Sequence, residues 1–164
     1  MKKKKWLICS LVIIVCVLIT TFAVVLVNNK RSINRLISQL EYAINKHDIE
    51  RIINLYPVYC RADVIKYFSQ EKLNEFYNNV IVKDNKDIKV QILYISNLDT
   101  SSCNDIMKQI AEAYQENIVV EDYQLVQIKY HNDFSESYLQ VIKIDGDYYL
   151  YFYGNIGEPL SYFH

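Results

Sequence analysis

Residues 137–153, SYLQVIKIDGDYYLYFY, decide the fold of the second half of this chain. Two apolar runs flank Asp145-Gly146, and both central residues of a tight type I′ turn need the positive φ that Asp-Gly adopts readily. The stretch therefore predicts a β-hairpin with strands over 137–144 and 147–153.

The hairpin turn also sets which side chains share a face. Val141 should face Leu150 on the surface that packs against helices, and Ile142 should face Tyr149 on the outer surface. Tyr is enriched at interfaces because it joins a large apolar area to a polar tip. The outer face therefore carries a candidate interface, formed by Tyr138, Tyr149, Tyr151 and Tyr153. The alternative left open is that these residues only form cross-strand pairs, worth about 0.2–1 kcal/mol each.

Upstream of the hairpin, apolar spacing predicts helices followed by a mixture of strands and one more helix. Asp48 can cap the second helix, which ends at Pro57, and Ser102 with Asp105 resembles a capping box. Helices are predicted over 33–44, 49–55, 62–68, 70–80 and 103–116, strands over 88–96 and 122–131, and a loop over 83–87. Helices collected on one face of a curved antiparallel sheet define an α+β fold.

Two short patterns within this order resemble the nuclear transport factor 2-like superfamily. They are Ala43-x-Asn45-x-x-Asp48 before a Pro-terminated helix, and Val141-x-Lys143-Ile144-Asp145-Gly146-x-Tyr148-Tyr149-Leu150. Position 148 is usually Trp in that pattern and is Tyr here. The resemblance is greatest to small bacterial extracytoplasmic domains, and it implies a cone-shaped fold over 33–153. It leaves the activity open, because the superfamily includes isomerases, dehydratases and assembly subunits.

The N-terminal run 6–27, WLICSLVIIVCVLITTFAVVLV, contains no charged residue, Gly or Pro. Its 22 residues would span about 33 Å as a helix, enough to cross a bilayer. The run is longer than the apolar part of a signal peptide and lacks a small-x-small cleavage site, so it predicts an uncleaved anchor. Trp6 lies where an interfacial aromatic residue is common.

Charge around the anchor predicts its orientation. Lys2–Lys5 precede the span, whereas Lys30, Arg31 and Arg35 follow it, and the positive-inside rule favours a cytoplasmic N-terminus. The predicted organisation is a basic cytoplasmic tail, a transmembrane helix, a linker, an extracytoplasmic domain and a C-terminal tail. These parts cover residues 1–5, 6–27, 28–32, 33–153 and 154–164.

Cysteine usage leaves two interpretations open for the exported domain. An oxidising exterior would permit a disulfide between Cys60 and Cys103. Two buried free thiols are an equally ordinary arrangement. The abundance of Lys over Arg and of Ile and Tyr over Ala and Gly is typical of an AT-rich bacterial genome.

Motifs for chemistry are absent from the sequence. His47, His131 and His164 stand 84 and 33 residues apart without a His-Glu-x-x-His motif, and three glycines cannot build a phosphate-binding loop. Residues 28–164 carry 14 Lys and Arg against 19 acidic residues, so nucleic-acid binding has no support. We expect no catalytic residue, metal or cofactor.

These observations favour a single-pass cell-membrane protein whose exported domain binds a protein or small ligand without catalysis. Its expected partners are the lipid bilayer, through residues 6–27, and a second copy or a membrane protein, through the outer sheet face. Two alternatives remain. One is an assembly subunit of a secretion or conjugation apparatus, and the other is a cavity enzyme of the isomerase or dehydratase type.

Overall fold

The computed structural model describes residues 2–67, 71, 72, 74, 87–97, 99–130 and 136–151. The chain divides into two compact units, Met1–Asn34 and Arg35–His164. An N-terminal apolar helix dominates the first unit, and helices with a four-stranded antiparallel sheet form the second. The predicted α+β class is therefore confirmed.

Helix α1 extends over Lys2–Asn45 and contains a segment long and apolar enough to cross a membrane. Its described side chains from residue 12 to residue 25 are exposed, unlike those of a helix in a protein core. A signal sequence near the N-terminus can meet the same criteria of length and apolar composition. The hydroxyls of Thr20 and Thr21 donate to carbonyls one turn earlier, at 2.9–3.0 Å, so they are satisfied within the helix.

Residues 28–32, predicted as a linker, are helical in the structure. No Pro or Gly interrupts the chain between residues 6 and 45, and polar residues such as Asn28 and Asn29 lower helix stability by less than about 1 kcal/mol each. Polarity alone was therefore too weak a signal to end the helix there.

The end of α1 and the start of α2 lie where the sequence places them. His47 adopts a positive φ of 52°, which ends the helical path after Asn45. The Asp48 carboxylate then accepts the Arg51 amide at 2.9 Å and caps α2, Ile49–Asn54. A short 3₁₀ turn, Val58–Cys60, and helix α3, Arg61–Tyr67, follow.

The described sheet contains strands in the order β1-β2-β3-β4, all antiparallel. The predicted hairpin register is confirmed, since Val141 pairs with Leu150 and Ile142 with Tyr149. Phe152 and Tyr153 lie outside the described residues. Strand bounds are β1 Val90–Asn97, β2 Asp122–Tyr130, β3 Glu136–Ile144 and β4 Asp147–Leu150.

Helix α4, Thr100–Tyr114, begins three residues earlier than predicted. Its cap is Asp99, whose carboxylate accepts the Ser102 amide at 2.9 Å and the hydroxyls of Ser101 and Ser102 at 2.7 and 2.8 Å. Ser102 thus donates to a cap instead of providing one. The Asp-x-x-Ser pattern competes with the Ser-x-x-Asp pattern, and a carboxylate is the stronger acceptor.

Apolar side chains are buried on both faces of the sheet. Ile142 lies in a cluster with Cys103, Ile106 and Ile110 of α4, so this helix covers the face that was expected to be outermost. The opposite face is buried as well, through Val126, Ile128, Leu139, Val141 and Leu150. The prediction that all helices would lie on one face is wrong for α4.

The end of α1 is tied to the approach of β1. The Asn45 side chain donates to the Ile88 carbonyl at 2.9 Å and accepts the Ile88 amide at 2.8 Å. Glu41 accepts the Val90 amide at 2.7 Å. The predicted helix over 70–80 and loop over 83–87 lie largely outside the described residues, among which Glu71, Lys72 and Asn74 are helical.

Replacing Asp99 should weaken α4 in a pH-dependent way. The Ser101 hydroxyl, and then Ser102, hold the pKa of Asp99 below its usual value. The resulting stability is present above the unfolded-state pKa and is lost as pH falls through the lower folded-state pKa. We expect Asp99→Ala to lower the urea midpoint at neutral pH, with the difference from the parent vanishing in acid.

Asp99→Asn is the matched control, because it keeps an acceptor oxygen without a titrating charge. It should retain most of the neutral-pH midpoint. Urea unfolding of the full chain in nanodiscs, followed by circular dichroism at neutral pH and below about pH 3, measures both effects. Equal midpoints for Asp99→Ala and the parent at neutral pH would contradict the assignment of the cap.

Candidate functional site

An open groove of about 450 Å³ lies beside the β-hairpin turn. Three chain segments meet there: the 3₁₀ turn after Pro57, the loop that follows α4, and the end of the hairpin. We call it the turn-side groove. It is lined by Pro57, Val58, Tyr59, Glu116, Asn117, Ile118, Val119, Ile144, Asp145 and Tyr149.

The first wall of the turn-side groove is the turn that Pro57 begins. Pro57 has φ −58° and ψ 149°, and its carbonyl accepts the Cys60 amide at 3.2 Å and the Cys60 thiol at 3.3 Å. This tight turn leaves Val58 76% exposed while Cys60 is buried. The Pro57–Cys60 turn therefore presents the Val58 side chain to solvent on a backbone held by hydrogen bonds.

The second wall is the loop after α4. Gln115 ends the helix in the left-handed region, with φ 57°, and its amide donates to the Ala111 carbonyl at 3.0 Å. Beyond it, Val120 is buried in the α4 cluster, whereas Val119 is 68% exposed. The two neighbouring side chains thus point in opposite directions, Val120 into the core and Val119 to solvent.

Glu121 joins this loop to the hairpin. Its amide donates to the Lys143 carbonyl at 2.9 Å, and its carboxylate accepts the Gly146 amide at 2.9 Å. The same carboxylate forms an ion pair with the Lys143 ammonium at 3.2 Å. These contacts fix the loop against the turn, so Asp145 remains at the edge of the groove.

Tyr59 connects the groove to the core. Its ring packs on Tyr114 with centroids 5.0 Å apart, and both rings contact the α4 cluster. Its hydroxyl is buried and has no hydrogen-bond partner among the described residues. Burial, with a smaller contribution from the nearby Cys60 thiol, raises the pKa of Tyr59, so the phenol stays neutral.

The charge of the turn-side groove is of one sign. Among its described lining residues, the charged side chains are Glu116 and Asp145, both carboxylates. The nearest described cation in the turn, Lys143, is already paired with Glu121. An apolar surface with a negative edge favours ligands that combine apolar groups with positive charge.

A second open pocket, about 590 Å³, lies at the start of α2. Its lining is polar, and Arg51 there contacts Asp48 at 3.7 Å and lies over the Tyr42 ring at 4.6 Å. The Arg51 guanidinium thus already interacts with a carboxylate and an aromatic ring of the same domain. The pocket is lined by Gln39, Asp48, Glu50, Arg51, Asn54 and Leu55.

The predicted tyrosine interface is divided by the fold. Tyr149 and Tyr151 pack against the α4 cluster, and the Tyr151 hydroxyl donates to Gln109 of α4 at 2.9 Å. Tyr138 is 42% exposed, and Tyr153 lies outside the described residues. The expectation that Tyr149 and Tyr151 point outward is wrong, because α4 covers their face.

Tyr138 has a different aromatic neighbour along the sheet. Strand register places Tyr94 and Tyr138 on either side of Gln127, and Tyr94 is 63% exposed. The uncovered part of this face therefore joins β1 to β3, not β3 to β4. Sequence reasoning missed this arrangement of Tyr94 and Tyr138 because it depends on the β1–β2 register and on a bulge between Ile92 and Tyr94.

Cys60 and Cys103 are buried free thiols in the structure, and the candidate disulfide is not formed. Burial raises the pKa of Cys60 to about 12, and burial, followed by the Asp122 charge, raises that of Cys103. Neither thiol is therefore activated as a nucleophile at neutral pH.

A polar cluster lies on the sheet face opposite α4. The Tyr148 hydroxyl donates to the Asp122 carboxylate at 2.5 Å, and the Gln124 amide donates to the same oxygen at 2.6 Å. A cavity enzyme could use such a carboxylate–tyrosine pair. Tyr148 is 7% exposed and lines neither of the two described pockets.

The described histidine makes a side-chain contact within the domain. His47 Nδ1 lies 2.9 Å from Asn74 Oδ1. Across the described part of the chain, no group of three or more His, Cys, Asp or Glu residues could hold a metal ion.

Comparison with known proteins identifies no relative: no family model, curated protein or solved structure matches the chain. The one sequence signal that could have located the turn-side groove is the apolar run Ile118-Val119-Val120, which lies between a helix and a strand instead of within either.

Thiol reactivity should distinguish free cysteines from a disulfide. In a full-length variant with Cys9 and Cys16 replaced by Ser, we expect Cys60 and Cys103 to react slowly with iodoacetamide in the folded protein, because both are buried. In denaturant without reductant, both should react completely. Mass spectrometry counts the added groups, and a requirement for reductant would show that a disulfide had formed.

Removing the Tyr148 hydroxyl should lower stability. Tyr148→Phe takes one of two donors from the Asp122 carboxylate, and we expect the free energy of unfolding to fall by about 1–2 kcal/mol. Tyr59→Phe is the matched control, since its buried hydroxyl has no described partner; its unfolding free energy should stay within about 0.5 kcal/mol of the parent. Equal losses in the two variants, measured by urea unfolding, would contradict a specific role for the Asp122 contact.

Proposed function

We propose that this protein is a single-pass membrane-anchored, extracytoplasmic interaction module that binds its partner through the turn-side groove and performs no catalysis. The single observation that carries the proposal is the pair of exposed valines, Val58 and Val119, on opposite segments of that groove. Exposed apolar groups within one groove that has a polar rim are typical of interaction sites.

The anchor in this proposal is the apolar part of α1. Its exposed side chains suit lipid, and the threonine hydroxyls within it are satisfied by backbone carbonyls. Four lysines at 2–5 against Lys30, Arg31 and Arg35 support a cytoplasmic N-terminus. The domain after the anchor would then lie outside the cytoplasm, at the cell membrane.

A binding role also fits the chemistry of the described groups. Cys60, Cys103 and the Tyr59 hydroxyl are buried and have raised pKa values, and the Tyr148 hydroxyl donates to Asp122 within the sheet. The charged groups that line the turn-side groove are two carboxylates on separate segments, Glu116 and Asp145. This arrangement supports recognition of charge and apolar shape.

For the finer fold, we propose a cone-shaped arrangement related to the nuclear transport factor 2-like superfamily. Support comes from the antiparallel sheet β1-β2-β3-β4, the Asp145-Gly146 hairpin and the Asp48 cap after α1. Helix α4 on the Ile142 face is the feature that this proposal has to accommodate. An experimental structure of the exported domain would test it.

The topology is tested by protease digestion of cells that carry a C-terminal epitope tag. We expect the full-length protein to remain with membranes after carbonate extraction, and the tag to be digested in intact spheroplasts. A control variant with Lys2–Lys5 replaced by Gln should lose part of this uniform orientation, because the positive charge that retains the N-terminus is removed.

Two results would contradict the proposed anchor. A tag that is digested only after the membrane is permeabilised would place the domain in the cytoplasm. A mature protein that begins after residue 27 and is released by carbonate would show a cleaved signal sequence instead of an anchor.

A further inference from the structure

We propose that the turn-side groove binds an extended peptide segment in which apolar residues are flanked by Lys or Arg. This inference rests on the proposed function, because it names the class of partner that the exported domain would bind. It combines two features of the groove, its exposed valines and the negative charge of its described lining residues.

The apolar part of the partner follows from the groove walls. Val58 and Val119 lie on two different loops, each held by neighbouring backbone hydrogen bonds. Ile118, Ile144 and Tyr149 continue the apolar surface between these loops and the core. Aliphatic side chains of a partner would remove these groups from water at a gain of about 25 cal/mol per Å² of apolar area.

The positive part of the partner follows from the carboxylates. Glu116 and Asp145 are both exposed, and both line the groove. Lys143, the cation beside the turn, is paired with Glu121, and no cation is found among the described residues that line the groove. Residues 28–164 have a formal charge of −5, which would also attract a basic segment over longer distances.

An extended chain fits this surface better than a compact ligand does. Small-molecule sites enclose most of the ligand surface, whereas this groove is open and has exposed valines on two separate walls. A chain laid across the groove can cover both. An anionic membrane surface is disfavoured as the occupant, because Glu116 and Asp145 would be repelled by its headgroups.

The test uses the full-length protein in nanodiscs of zwitterionic lipid, with fluorescence anisotropy of labelled peptides. The probe is Lys-Leu-Val-Leu-Lys with blocked ends. Two matched controls separate its features: Glu-Leu-Val-Leu-Glu reverses the charge, and Lys-Ser-Gly-Ser-Lys removes the apolar groups. We expect the probe to bind at least about tenfold more tightly than either control, and its affinity to fall with added salt.

Variants locate the binding. Val119→Asp should lower the affinity for the probe at least about tenfold, because it places a charge on the apolar wall. The double variant Glu116→Gln/Asp145→Asn should lower the affinity for the probe about fivefold. Asn is chosen at position 145 because it tolerates the positive φ of 50° there. Ile65→Asp is the matched control: Ile65 is an exposed apolar residue of α3 outside the groove, so its replacement should leave the affinity unchanged.

Several results would overturn the inference. Equal binding of the three peptides, or equal losses in Val119→Asp and Ile65→Asp, would remove the groove as the site. Tighter binding of dodecyltrimethylammonium than of the probe, lost in Val119→Asp, would assign the groove to a small cationic amphiphile. If no peptide binds while the protease experiment still places the domain outside the cytoplasm, this inference fails and the proposed anchor stands.

Discussion

The packing of α4 against Ile142 of β3 is the contact on which much of the second unit, Arg35–His164, depends. It buries Cys103, Ile106 and Ile110 together with Val120, which follows the helix. Because Val120 is held in this cluster, the neighbouring Val119 is directed to solvent, and the loop after α4 becomes one wall of the turn-side groove. The same packing removes Tyr149 and Tyr151 from the outer surface. The position of α4 therefore determines both which tyrosines are exposed on the sheet and where the turn-side groove lies.

Glu121 extends this arrangement to the hairpin. A single side chain accepts the Gly146 amide and pairs with Lys143, while its own amide donates to the Lys143 carbonyl. The loop and the turn are thus held together by charge-assisted contacts at a partly exposed site. The ion pair engages the Lys143 ammonium, whereas the Asp145 side chain is exposed and lines the groove. The charge at this end of the domain is therefore arranged by a structural ion pair as well as by the lining residues.

The elements that sequence reasoning predicted well are those specified by neighbours in the chain. Asp145-Gly146 determines the hairpin register, Asp48 caps α2, and Pro57 marks the end of that helical region. Local patterns misled where two of them competed. Asp99 and Ser102 both offer a cap for α4, and the carboxylate prevails. Residues 28–32 are polar but have no helix breaker, and α1 continues through them.

By itself, the sequence determined the apolar, uncharged character of residues 6–27, the α+β class, the hairpin register and the acidic charge of the remainder. Each of these follows from composition or from interactions within a few residues. Only the tertiary structure decided that α4 covers the tyrosine-bearing face, that Tyr138 neighbours Tyr94 across β2, and that three distant segments form one groove. Those outcomes depend on packing between residues far apart in the chain. A strand with apolar groups on both faces can be covered on either face, so its sequence alone does not decide which face a helix covers.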